Sequence, residues 1–254
     1  MIRSSVIPLL LLVFLYLAGC QTTGQQVDVP QRSNAIAEAN YNLGVAYLEQ
    51  KDYESALKKL NKSLAADSNF APTHNAMGLL HQQLGNMEKA EEYYKRAVSI
   101  APNNGVILNT YGSFLCQQGR YEDAESVFLQ AATNRLYEEP EIAYTNAGTC
   151  ALENGRTDLA ETYFRNALEQ NPKVPVALLQ MATISYDQGK YLPARAYIQR
   201  YSEVSRHTAR SLWLGIRIER ELGDKDTLSS YALTLRNRFP DSEEARLLNE
   251  SGLK

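Results

Sequence analysis

The stretch Tyr111-Gly112-Ser113-Phe114-Leu115-Cys116-Gln117-Gln118-Gly119-Arg120-Tyr121-Glu122-Asp123-Ala124 leads on to Phe128 and Ala131. Its order is distinctive. An apolar residue precedes Gly112, a second glycine follows seven residues later, and Ala124 comes twelve after the first glycine. A bulky residue follows four further on and a small one three beyond that. The same order recurs on both sides, at Leu43-Gly44, Met77-Gly78, Ala147-Gly148, Met181-Ala182 and Leu214-Gly215, in steps of 34, 34, 36, 34 and 33 residues. Ala56, Ala90, Ala160 and Ala194 stand where Ala124 does, and Leu60, Tyr94, Phe164 and Ile198 stand where Phe128 does. Gly85, Gly155 and Gly189 match Gly119, Ala97 and Ala167 match Ala131, and Pro102, Pro172 and Pro240 close units. Self-similarity at a fixed period outranks any reading of single elements.

Each position has a physical reason. Small residues let two antiparallel helices approach, and the bulky residue beside them fills the remaining space. The second glycine suits a tight turn between the helices, and proline ends one helix or starts the next. The pattern resembles the tetratricopeptide repeat, a helix–turn–helix unit. That resemblance implies an all-α, right-handed superhelical solenoid of six helix pairs. The domain spans 36–254, with repeats near 37–70, 71–104, 105–140, 141–174, 175–207 and 208–241 and a capping helix over 242–250.

Several units depart from the pattern. The first has Asn40 at a bulky position, Lys51 at the turn glycine and Ser68 for the closing proline. Two residues are inserted near Leu136-Tyr137-Glu138-Glu139, which should open the connection between the third and fourth units. The fifth has Ala182 for glycine and Tyr201 for the second small residue, and the sixth has one extra residue before Gly223. Asp241-Ser242 offers a helix N-cap, and a polar terminal helix suits the end of a solenoid.

The N-terminus carries an address. Arg3 is followed by an apolar run from Val6 to Leu17 broken only by Pro8. That run is shorter than the ~20 residues a spanning helix needs, and it reads as a secretory signal peptide over 1–19. Leu17-Ala18-Gly19-Cys20 resembles the lipobox of bacterial lipoproteins. The resemblance implies cleavage before Cys20 and lipidation there, and Gln21, in place of Asp, implies passage to the outer membrane. Residues 20–35 are polar and read as a lipidated flexible tether.

The chain has 254 residues, a formal charge of −3 and 22% charged residues. Mild acidity argues against binding nucleic acid, whose phosphates call for a basic surface. No HExxH, G-x-S-x-G, Walker A or G-x-G-x-x-G motif is present. His74 and His81, seven apart on one helix, stand about 10 Å apart, too far for one metal, and read as packing residues. No catalytic residue, metal, cofactor or small-molecule substrate is therefore expected.

A helix-pair solenoid presents a concave groove that binds extended segments or helices. Carrying over the repeat family's groove positions gives Tyr41, Val45 and Leu48 in the first unit, then Asn75, Leu79, Gln82 and Gln83 in the second. Asn109 and Ser113 follow in the third, and Tyr186 in the fifth. The lining is apolar and amide-rich and lacks the basic set that clamps a C-terminal carboxylate.

Cys116 and Cys150 fall on first helices of successive units, which are neighbours. In an oxidising compartment they are expected to form a disulfide worth roughly 3 kcal/mol; two buried thiols are the alternative.

A closer resemblance rests on Asn109 to Tyr121, on Ser211-Leu212-Trp213-Leu214-Gly215-Ile216-Arg217-Ile218-Glu219-Arg220, and on Arg238-Phe239-Pro240-Asp241-Ser242. Together with length, lipobox and six-unit layout, these stretches are similar to the PilF/PilW family of type IV pilus biogenesis lipoproteins. The family implies a non-enzymatic pilotin at the periplasmic face of the outer membrane. Its partner would be a pilus secretin subunit, which it helps to localise and assemble into multimers. The alternative is another periplasmic adaptor lipoprotein, serving outer-membrane barrel assembly or peptidoglycan hydrolases.

Overall fold

The computed structural model describes residues 29–252, with side chains from Asn34 onward. The signal peptide, Cys20 and the tether up to Asp28 lie outside the described residues.

Thirteen α-helices and no strand occur among the described residues. In order they are α1 (Val29–Glu49), α2 (Tyr53–Ala66), α3 (Ala71–Gln83), α4 (Met87–Ile100), α5 (Gly105–Gln117), α6 (Tyr121–Ala132) and α7 (Pro140–Glu153). Then come α8 (Thr157–Gln170), α9 (Pro175–Asp187), α10 (Tyr191–Val204), α11 (Ala209–Leu222), α12 (Lys225–Arg238) and α13 (Glu243–Glu250). Odd and even helices pair as antiparallel hairpins, the six hairpins stack into a superhelical solenoid, and α13 packs on α11 and α12.

The repeated glycine is a packing device. A Cβ built on Gly112 would lie 2.8 Å from the Phe128 ring, and one on Gly78 would lie 2.7 Å from the Tyr94 ring. Phe128 and Tyr94 are fully buried. Each large residue therefore fills the volume that the facing glycine leaves empty, which draws the two helices of a hairpin together. Gly119 and its equivalents take left-handed backbone at the intra-hairpin turn. Lys51 takes the same conformation, with φ of 59°, so the first hairpin turns alike at the strain cost of a side chain there.

One sequence expectation is corrected and a second is borne out and extended. Residues 29–35, read as part of the tether, are helical, because α1 begins at Val29. Pro30 near its start supplies a fixed φ suited to a first turn and lacks an N–H that would go unpaired. The inserted residues lengthen the α6–α7 connection to residues 133–139, where other hairpins are joined by four residues such as 101–104. They do more than open it. Tyr137 folds back over Gly105, where an added Cβ would meet the ring at 2.3 Å. Asn134 Nδ2 donates to the Asn103 carbonyl, and Asn134 Oδ1 accepts from Leu136 N at 2.9 Å.

Local signals close the ends. Ser242 Oγ accepts from Ala245 N at 3.1 Å and caps α13, the role anticipated for Asp241-Ser242. In the core, Ser63 Oγ lies 2.7 Å from the Ala37 carbonyl, to which it donates, and 2.6 Å from Thr73 Oγ1. One buried hydroxyl pair thus ties α1, α2 and α3.

Candidate functional site

Six of the groove residues converge. Tyr41, Val45, Leu48, Asn75, Leu79 and Gln83, together with Glu49, Lys51, Tyr53 and Ala76, line a cleft of about 380 Å³ between the first two hairpins. They meet because α1 and α3 are adjacent first helices and these residues stand at matching heights, 34 apart for Tyr41–Asn75 and Val45–Leu79. Leu79 is 38% exposed and offers free apolar surface. The Tyr41 ring is braced edge-on by Phe70 at 5.8 Å, and partial burial raises its hydroxyl pKa above the ordinary 10. A neutral phenol then stands beside an apolar wall. The Asn75 Oδ1 is buried with no hydrogen-bond partner. Such an atom is costly unless a ligand donor meets it.

The other predicted residues are placed differently. Leu48 is only 9% exposed and belongs mainly to the first core cluster, packed with Leu60 and Met77, so it forms the floor of the cleft. Gln82 is not free to contact a ligand. Its Oε1 accepts from the Tyr94 hydroxyl at 2.7 Å and its Nε2 donates to Gln117 Oε1 at 2.7 Å. Asn109 accepts from Asn146 Nδ2 at 3.0 Å, linking α5 to α7. Ser113 lines a smaller cleft of about 170 Å³ with Gln117, Thr149, Glu153 and the two cysteines. Tyr186 lies far along the stack, its ring 5.5 Å from that of Tyr191 and covered by the Arg217 guanidinium at 4.2 Å. The predicted set therefore divides into one cleft at the first two hairpins and separate positions beyond it.

Glu49, Lys51 and Tyr53 belong to the cleft but escaped the sequence reading. They sit at the turn of the first hairpin, outside the positions carried over from first helices.

Cys116 and Cys150 are joined by a disulfide in the structure, their Cα atoms 5.8 Å apart across a separation of 34 residues. It staples α5 to α7 across the one lengthened connection. Reduction is expected to lower the unfolding free energy by about 3–4 kcal/mol, the cost of freeing a loop of that length. Urea denaturation with and without reductant measures this. Equal midpoints, with two reactive thiols in the denatured unreduced protein, would exclude the bond.

Two further clefts lie elsewhere. One of about 560 Å³ is lined by His74, His81, Lys89, Tyr93 and Arg96. The Tyr93 ring stacks on His81 at 5.3 Å and tilts against His74 at 6.0 Å. Both histidines are buried, and burial, followed by Lys89, pushes the His81 pKa down. They act as packing residues for α4. The other, about 540 Å³, follows the insertion and is bordered by Val106, Glu138, Glu139 and Leu136, which is 86% exposed. Among the described residues no three His, Cys, Asp or Glu side chains gather as a metal site.

Comparison with known proteins agrees with the repeat fold. Tetratricopeptide-repeat profiles match residues 37–70, 71–104, 93–126, 115–175 and 151–212. The type IV pilus assembly protein PilF of Pseudomonas aeruginosa is 34% identical over 238 residues, covering 92% of this chain and 94% of that protein. Its solved structure superposes with a TM-score of 0.78 at 33% identity, over 87% of this chain and 99% of the other. The crystal structure of PilW, a type IV pilus biogenesis factor, superposes with a TM-score of 0.73 at 29% identity, over 85% of this chain and 99% of the other.

Proposed function

Since the chain belongs to the type IV pilus assembly family of PilF and PilW, we propose that it is the lipid-anchored pilotin of a pilus secretin. It acts as a non-enzymatic adaptor. Cys20 carries the lipid that holds it on the periplasmic face of the outer membrane. The concave face takes a secretin subunit, and holding subunits at the membrane promotes their assembly into the multimeric pore.

The observation that carries the reading is the cleft formed by Tyr41, Val45, Asn75 and Leu79. It has the makeup of a peptide-binding site: an apolar wall, an aromatic anchor and one buried acceptor awaiting a donor. An apolar side chain of the secretin segment would cover Leu79 and Val45, while a donor beside it would meet Asn75 Oδ1. Several acyl chains at Cys20 would supply the stable anchorage that one chain does not, at about 0.8 kcal/mol per buried methylene.

The test is a chain carrying Tyr41→Glu and Leu79→Glu together. Charges in the cleft are expected to reduce heat-stable secretin multimers at least tenfold and to remove surface pili. Circular dichroism would verify that the helices and melting temperature are kept. Normal multimer levels with a folded double variant would overturn the reading, as would normal levels with Leu79→Arg alone, a change at an already exposed position.

A further inference from the structure

The stack is finished at one end and unfinished at the other. At the C-terminus, α13 covers the last hairpin and turns Glu243, Arg246 and Glu250 to solvent. This is the polar cap a solenoid end requires. At the N-terminus nothing comparable lies over α1 among the described residues. In α3 and α5 the face turned to the preceding hairpin is made by Thr73, Met77 and Leu80 and by Ile107, Tyr111 and Phe114, all buried. The same register positions in α1, 34 residues earlier, are Ala39, Leu43 and Ala46. Here Leu43 is 46% exposed, Ala39 is exposed and Ala46 is half-buried, and Ile36, one turn earlier on that face, is 49% exposed. A face that is core in the following hairpins is thus left bare and apolar in the first.

Once residues 1–19 are cleaved off, the segment that precedes α1 is not suited to cover it. The residues between the lipobox cysteine and α1, Gln21 to Asp28, contain a single large apolar residue, Val27. The far end of another solenoid does not fit either, since its exposed side is charged. The face does fit itself. Pair two α1 helices antiparallel about a two-fold axis level with residue 41. Ile36 then stands opposite Ala46 of the other copy, and Ala39 opposite Leu43. Large meets small at every step in both directions, the condition for close interdigitation and for an isologous contact. We infer that the outer face of α1 is a homodimer contact: Ile36, Ala39, Leu43 and Ala46 pack antiparallel on the same residues of a second copy.

The expected strength follows from size. One helix packed on one helix buries less than the roughly 1,000 Å² of a stable interface in free solution. The pair forms where copies share a surface and their effective concentration is high; that clause rests on the membrane anchorage proposed above. The nine residues Cys20 to Asp28 reach at most ~30 Å, about the length of α1 itself. Two antiparallel α1 helices lying along the membrane could therefore both stay anchored.

The test uses two full-length copies with different tags, co-expressed in the bacterium. One carries Ala39→Cys and the other Leu43→Cys. The native cysteines do not interfere, since Cys116 and Cys150 are bonded to each other and the Cys20 thiol carries the proposed lipid. Treatment of envelopes with a short bis-maleimide is expected to yield an adduct of twice the chain mass that bears both tags. It should persist in cells lacking the secretin, which separates this contact from the groove function. Adding Ile36→Glu to both copies should reduce the adduct at least tenfold without changing the melting temperature. No adduct, an adduct joining one tag to a different polypeptide, or an adduct undiminished by Ile36→Glu would each overturn the proposal.

Discussion

Arg195→Met is expected to lower the unfolding free energy by about 3–5 kcal/mol, the range found when one partner of a buried ion pair is removed. Glu219 is buried at the junction of the last two hairpins, only 1% exposed. Arg195 on α10 reaches it on α11 with both prongs of its guanidinium: Nε donates to Oε1 at 3.0 Å, and Nη2 donates to Oε2. Without the arginine, a carboxylate would remain in a dry place with no cation to hold it. The loss spreads further. The same guanidinium lies 3.4 Å from Asp224, whose Oδ1 caps α12 by accepting from Thr227 N at 3.0 Å. Urea denaturation of the variant measures the effect. The cause is isolated by adding Glu219→Leu, which removes the orphaned charge and should restore most of the loss, because an apolar pair of similar size costs little in such a site. A loss under about 1 kcal/mol for Arg195→Met, or no recovery in the double variant, would show that the pair does not lock the last two hairpins.

That ion pair also marks what the sequence alone could not disclose. The period of about 34 residues made the hairpins legible, because the pattern is the packing: Gly112 and Phe128 are sixteen apart and in contact, and so are the equivalent pairs. The same register predicted which first helices are neighbours, and so brought Cys116 to Cys150 and Tyr41 to Asn75. Side-chain partnerships that break the repeat were hidden. Arg195, Glu219 and Ser63 have their roles in one unit only, so no recurrence flags them. Gln82 stands at a groove position by register, yet the Tyr94 hydroxyl across the hairpin claims it. The start of α1 was misread for a different reason. Gln31, Arg32, Ser33 and Asn34 carry no apolar period, so their composition is that of a linker, while Pro30 and the helix that follows set their backbone.

The glycine–aromatic pairs lead to the last prediction, in which one substitution changes sign with its background. Phe164 is fully buried, and its ring occupies the space over Gly148, where an added Cβ would lie 2.8 Å from it. Phe164→Ala should therefore cost about 3–5 kcal/mol through lost burial and the cavity left behind. Gly148→Ala in the otherwise native chain forces the new methyl into the ring. Overpacking of this kind costs about 1–3 kcal/mol, which outweighs the roughly 1 kcal/mol that alanine gains over glycine inside a helix. With Phe164 already reduced to alanine, the ring is gone and the clash with it. Only the helical gain and a small filling of the cavity remain, so Gly148→Ala should now stabilise, by about 1 kcal/mol. Four urea midpoints, for the native chain, the two single variants and the double, form the cycle that measures the coupling. If Gly148→Ala destabilises equally in both backgrounds, the glycine is kept for some reason other than the ring above it. If the sign reverses, the same rule should govern Gly78 with Tyr94 and Gly112 with Phe128, since a Cβ on either glycine meets its facing ring at 2.7–2.8 Å. The repeat would then be a series of matched volumes in which neither member of a pair can change alone.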